Sequence, residues 1–91
     1  MRLQWSATAL DDAASLYDFL AKVNKSAAAK TVQSLVAAPV QLIENPRIGE
    51  SLDEFAPLEV RRILAGRYEI RYQIENDTIY VLRLWHTREN R

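Results

Sequence analysis

Two alternating runs flank the pair Asn76-Asp77, RYEIRYQIE before it and TIYVLRLWHT after it. No other stretch narrows the fold as much. Asn and Asp tolerate the positive φ that a two-residue hairpin loop demands, and apolar residues of period two on both sides read as strands. The hairpin therefore spans 67–75 and 78–87. With Glu75 opposite Thr78, each further pair steps back by one. Tyr68, Ile70, Tyr72 and Ile74 then share a face with Trp85, Arg83, Val81 and Ile79, and this apolar face is predicted to lie under helices. The other face carries Glu69, Arg71, Gln73 and Glu75 with Leu84, Leu82, Tyr80 and Thr78. His86 and Arg88 fall on it if the strand runs on. Arg83 is the one charge of the apolar set, and it is expected to snorkel at the sheet edge or to meet an acidic group from a helix. Trp5 and Trp85 read as core aromatics, and the hydroxyls of Tyr68 and Tyr72 need partners.

The remaining elements follow from periodicity and breakers. EVRRILA (59–65) is a third strand of the meander, and RLQWS (2–6) is a short strand of its own. A helix is predicted over about 8–23, capped by Thr8 with Asp11 three residues on. Leu10, Ala13, Tyr17 and Leu20 form its buried stripe. Asn24 or Ser26 caps a second helical span that reaches about residue 44 through Ala28, Val32, Leu35, Val36, Leu42 and Ile43. Pro39 must kink or split it. Its alanines let the two helices approach closely. ENPRIGE closes the helical hairpin, and GESLDEFAPLE is a loop with Phe55 and Leu58 tucked onto the core. The order is β-α-α-β-β-β. The expected fold is α+β, one domain over 1–91, with a helical hairpin packed on a small, mainly antiparallel sheet.

Composition excludes several functions. The 91 residues include no cysteine and one histidine, so neither a disulfide framework nor the ligand set of a zinc site is present. Neither a metal nor a cofactor is expected. No apolar run is long enough to span a membrane, and MRLQWSATALDD lacks a signal-like apolar region, so a cytoplasmic protein without membrane attachment is expected. Net charge is zero but unevenly spread: residues 1–59 hold five Lys/Arg against eight Asp/Glu, and residues 60–91 hold seven against four. The second part is thus suited to an anionic partner.

Strict alternation gathers Glu69, Arg71, His86 and Arg88 at one end of the sheet. Guanidiniums beside a histidine suit a phosphodiester: arginines hold phosphate oxygens in forked hydrogen bonds, His86 protonates a leaving oxygen, and Glu69 accepts a proton. The same residues also make an ordinary cross-strand charge network. Residue types and spacing alone leave both readings open.

The stretch VRRILAGRYEIRYQIENDTIYVLRLWHTREN resembles the C-terminal half of the RelE/ParE toxin superfamily, the toxins of bacterial type II toxin–antitoxin pairs, and NPRIGE resembles the turn that leads into its sheet. The resemblance covers most of the chain and implies the β-α-α-β-β-β order already read. It further implies a growth-arresting toxin of a plasmid-stabilisation module, neutralised by a cognate antitoxin in a toxin–antitoxin hetero-oligomer. Two branches differ in kind. RelE-like members are ribosome-dependent endoribonucleases, or mRNA interferases, whereas ParE-like members are not enzymes and poison DNA gyrase. RelE-like chains place a catalytic arginine directly after the first tyrosine of a Tyr-x-x-x-Tyr stretch. Here that stretch is YEIRY, and the position holds Glu69. Arg62 and Arg88 match two other RelE-like basic positions, while a tyrosine expected further on has no counterpart. HTR at 86–88 resembles the last strand's end in ParE-like chains. The resemblance therefore leans toward a gyrase poison. The alternatives are an interferase acting on ribosome-bound mRNA through Arg62, Glu69, Arg71, His86 and Arg88, and a toxin fold that has become a non-toxic binding module. Candidate binding residues are Arg61, Arg62, Arg71, His86, Arg88 and Arg91.

Overall fold

The computed structural model describes residues 1–88. Its elements are β1 (Arg2–Trp5), α1 (Ala7–Ala21), α2 (Lys25–Ala37), β2 (Glu50–Ser51), β3 (Glu59–Ala65), β4 (Tyr68–Glu75) and β5 (Thr78–His86), with 3-10 turns at Ala38–Ile43 and Asp53–Phe55. The sheet runs β1-β5-β4-β3-β2. β1 lies parallel to β5, and the other pairs are antiparallel. This is the expected α+β layer, with one addition. The short β2, which reads as loop in the sequence, pairs Glu50 and Ser51 with Arg62 and Arg61.

The helices start and stop for identifiable reasons. Ser6, not Thr8, caps α1: its Oγ accepts from Ala9 N at 3.0 Å. The same hydroxyl donates to Leu82 O, and Ser6 N donates to Val81 O. The β1–β5 ladder thus fixes Ser6 in the extended conformation that an N-cap needs (φ −69°, ψ 158°). That start turns the buried stripe by one position, to Ala9 and Ala13 with Leu16 packed beside them, and leaves Leu10 56% exposed. Asn24 caps α2 through Ala27 N. The helix ends at Ala37, and Pro39 enters the first turn of the 3-10 segment, where no N–H is needed.

The core lies between the helical hairpin and one face of β4 and β5. Ile70, Tyr72, Ile74, Ile79, Val81 and Leu84 meet Ala9, Ala13, Leu35 and Leu42 there. Tyr72 also ties the segment before β2 to the sheet. Its hydroxyl donates to Pro46 O at 2.7 Å and accepts from Gly49 N at 3.1 Å. A Cβ on Gly49 would lie 2.5 Å from that hydroxyl and from Arg62 O, so no side chain fits there. Arg47 and Arg61 both bind the Glu59 carboxylate. Leu58, expected on the core, is 53% exposed, and Phe55, expected there too, is only half-buried and meets Arg71 instead of the core cluster.

The hairpin register departs from strict alternation. Glu75 pairs with Thr78, and the stepwise pairing holds as far as Tyr72 and Val81. Arg71 then pairs with Arg83, so Leu82 is the extra residue of a bulge. Beyond it every parity reverses: Ile70 faces Leu84, Glu69 faces Trp85, and Tyr68 faces His86. The expected pairing would have put Arg83 under the helices and Leu84 outside. The bulge instead buries Leu84, worth about 1.5–3 kcal/mol for such a side chain, and lets Arg83 reach Asp12 of α1 at 2.8 Å. Asp12 also accepts from Leu84 N. Where β1 has ended, a helix carboxylate takes over one ladder position of β5.

Candidate protein-docking groove

The sheet face turned away from the helices holds three of the seven predicted site residues, Arg62, Glu69 and Arg71. Arg62, Arg71 and Arg83 stand in register across β3, β4 and β5. Glu69 lies beside them, 6% exposed. Its carboxylate accepts from Arg62 at 3.0 Å and from Arg71 at 3.3 Å. Arg62 is also bonded to Glu50 at 2.7 Å, and its hydrogen bonds to Glu50 and then to Glu69 raise its pKa. The Arg71 guanidinium sits 4.8 Å from the Trp85 ring centre and 5.2 Å from that of Phe55, in cation–π range of both. Its Nε has no hydrogen-bond partner among the described residues. Arg61 belongs to the other face and is fixed by Glu59 and by the carbonyl oxygens of Gly49 and Arg47.

His86 is not part of this cluster. The bulge places it opposite Tyr68, on the helix side, so the single surface expected to unite Glu69, Arg71, His86 and Arg88 does not form. The Tyr68 and His86 rings meet edge to face, 5.2 Å apart at 79°. His86 Nδ1 accepts from Arg88 N at 3.1 Å, so the neutral ring carries its proton on Nε2. Arg91 lies outside the described residues.

His86 and Arg88 instead line a groove of about 630 Å³ between α1 and β5. Leu16, Phe19 and Leu20 form one wall, and Leu84 and Tyr68 contribute to the other. Phe19 is 68% exposed. A second hollow of about 440 Å³ lies between α2 and the β3–β4 turn, lined by Thr31, Ser34, Gly66 and Arg67, and it shares Tyr68 and His86 with the first. The pair of rings thus forms a ridge between an apolar groove and a more polar hollow. Leu16, Phe19, Tyr68 and Arg67 were not singled out as site residues from the sequence. The available signal was Leu16-Phe19-Leu20, an i, i+3, i+4 set next to the expected core stripe. An apolar groove bordered by Arg88, with Asp12 already paired to Arg83, suits an amphipathic protein segment.

Among the described residues, no group of His, Cys, Asp or Glu is placed to hold a metal ion. No described helix is long and apolar enough to cross a membrane. The family model for the ParE toxin of the type II toxin–antitoxin system parDE matches residues 3–91. Among solved structures, a chain of the chromosomal ParDE TA system from P. aeruginosa shares the fold with a TM-score of 0.79 at 22% identity, over 94% of this chain and 95% of that one. No curated protein matches the sequence.

Proposed function

Because this chain belongs to the ParE toxin family of type II toxin–antitoxin systems, we propose that it arrests growth by poisoning DNA gyrase and is neutralised by a partner antitoxin docked in the α1–β5 groove. The observation that carries this reading is the state of the outer-face cluster. Glu69 stands where RelE-like nucleases place an arginine, and it binds both Arg62 and Arg71, with Glu50 as a second carboxylate on Arg62. A carboxylate there repels the phosphate that an arginine would hold. His86, the one candidate acid, lies across the sheet from these arginines, so proton donor and phosphate clamp do not converge on one atom. Toxicity through binding asks for neither. The groove supports the antitoxin half of the reading, because exposed Phe19 beside Leu16 and Leu20 offers an apolar seat that a folding segment can cover.

Induction of the toxin alone tests the mechanism. Gyrase-linked DNA breaks should accumulate while mRNA 5′ ends stay unchanged, and His86→Gln should retain most of the toxicity. Transcript cleavage within ribosome-bound codons, lost in His86→Gln with a rate drop of about 10²–10⁴-fold, would replace this reading with the interferase.

A further inference from the structure

Five arginines of the described chain have a carboxylate partner: Arg47, Arg61, Arg62, Arg71 and Arg83. Among the described residues, Arg2, Arg67 and Arg88 have none. Arg2 lies in β1 beside the Asn76–Asp77 turn, whereas Arg67 and Arg88 stand at the opposite end of the sheet, where Thr87 N donates to Arg67 O at 2.8 Å. Arg67 borders the hollow that continues the apolar groove past the Tyr68–His86 ridge. Across that hollow, α2 presents the hydroxyl residues Thr31 and Ser34. An arginine that lines one hollow with two hydroxyl residues, in a fold that pairs Arg61, Arg62, Arg71 and Arg83 with its own carboxylates, is suited to a single anionic group.

We infer that the hollow between α2 and the β3–β4 turn is a carboxylate-reading subsite for the antitoxin, with Arg67 as its charged anchor and Thr31 and Ser34 as its hydroxyl donors. This rests on the docking reading above. An antitoxin segment would lay an apolar side chain against Phe19 and Leu20, cross the ridge, and place an Asp or Glu carboxylate against Arg67. The apolar part gives area, and the carboxylate gives register. A segment with the same apolar residues and no acid at that spacing leaves Arg67 without a partner and is bound less well.

The probe is the purified product of the open reading frame adjoining this gene. Its affinity is measured for the wild-type toxin, Arg67→Glu, Arg67→Lys, Thr31→Val with Ser34→Ala, and Phe19→Glu, each first checked for an unchanged thermal unfolding transition. Arg67→Glu should weaken binding by about tenfold or more and flatten its salt dependence. Arg67→Lys should weaken it less, and the hydroxyl double variant should weaken it a few-fold. Replacing one acidic residue of the antitoxin by Lys should restore binding to Arg67→Glu. If Phe19→Glu abolishes binding while Arg67→Glu leaves it intact, the subsite is overturned and the groove stands. If neither variant weakens binding, the docking reading fails, and the subsite fails with it. If Arg67→Glu spares the antitoxin and instead weakens binding of the free toxin to a short DNA duplex, the hollow reads phosphate and the inference is overturned.

Discussion

Tyr72 shows how much one side chain can organise. It is fully buried, yet its hydroxyl satisfies Gly49 N and Pro46 O at once. Tyr72→Phe leaves both groups without that partner and should cost about 1–3 kcal/mol in urea unfolding. Burial is the main cause that raises the Tyr72 pKa above its ordinary value. The folded state therefore keeps the phenol protonated where the unfolded chain would ionise. That contribution to stability is complete below about pH 10 and is lost as pH rises from there through the folded value, and Tyr72→Phe should remove this part of the alkaline loss. At the acid end the sign is opposite. Glu59 is held below the usual carboxylate range, first by the hydrogen bond from Arg47 and further by Arg61. Its contribution is present above about pH 4.3 and is lost as pH falls through the lowered value, so Glu59→Gln should flatten the acid limb of the stability profile. Glu69 faces two cations rather than solvent. Glu69→Ala leaves Arg62 with Glu50 and Arg71 between two rings, and the expected loss is about 1.5–3 kcal/mol in the same assay.

At the scale of elements, the sequence made the order of strands and helices legible but not the path of β5. Alternation around Asn76-Asp77 identifies the hairpin, because a turn residue at φ 54° and period-two runs are local signals. Pro39 likewise marks the end of α2 correctly. The bulge has no such local mark. It exists because β1 stops at Trp5 and a carboxylate from α1 then reaches β5, and that tertiary demand joins residues 71 and 72 positions apart. The candidate site was misread for the same reason: one extra residue carried His86 from the arginine cluster to the groove. Capping shows the same limit, since Ser6 became the cap through its bond to Leu82 O. Asp12→Ala tests this account. It removes the partner of Arg83 and of Leu84 N, and the expected cost is about 1.5–3 kcal/mol in thermal or urea unfolding. A loss below a few tenths would show that the bulge stands without Asp12.

Across the whole molecule, Arg67 and Arg88, which have no carboxylate partner among the described residues, stand together at the groove end of the hairpin. An acidic partner should therefore be steered to the groove end, and its association rate should fall as salt rises toward physiological strength. Stopped-flow binding at two salt concentrations checks this, and a salt-independent rate would remove steering from the account. The pairing of β1 with β5 carries a different consequence, one of timing. The strand made first has its only ladder with the strand made last among those described. On the ribosome, residues 2–5 have no strand partner until residues 78–81 emerge, and the Ser6 cap of α1, which leans on Val81 and Leu82, waits with them. A nascent chain stalled before Thr78 should be digested readily by added protease, and one stalled well past Arg88 should resist. The groove between α1 and β5 is therefore complete only after the last strand of the sheet has emerged.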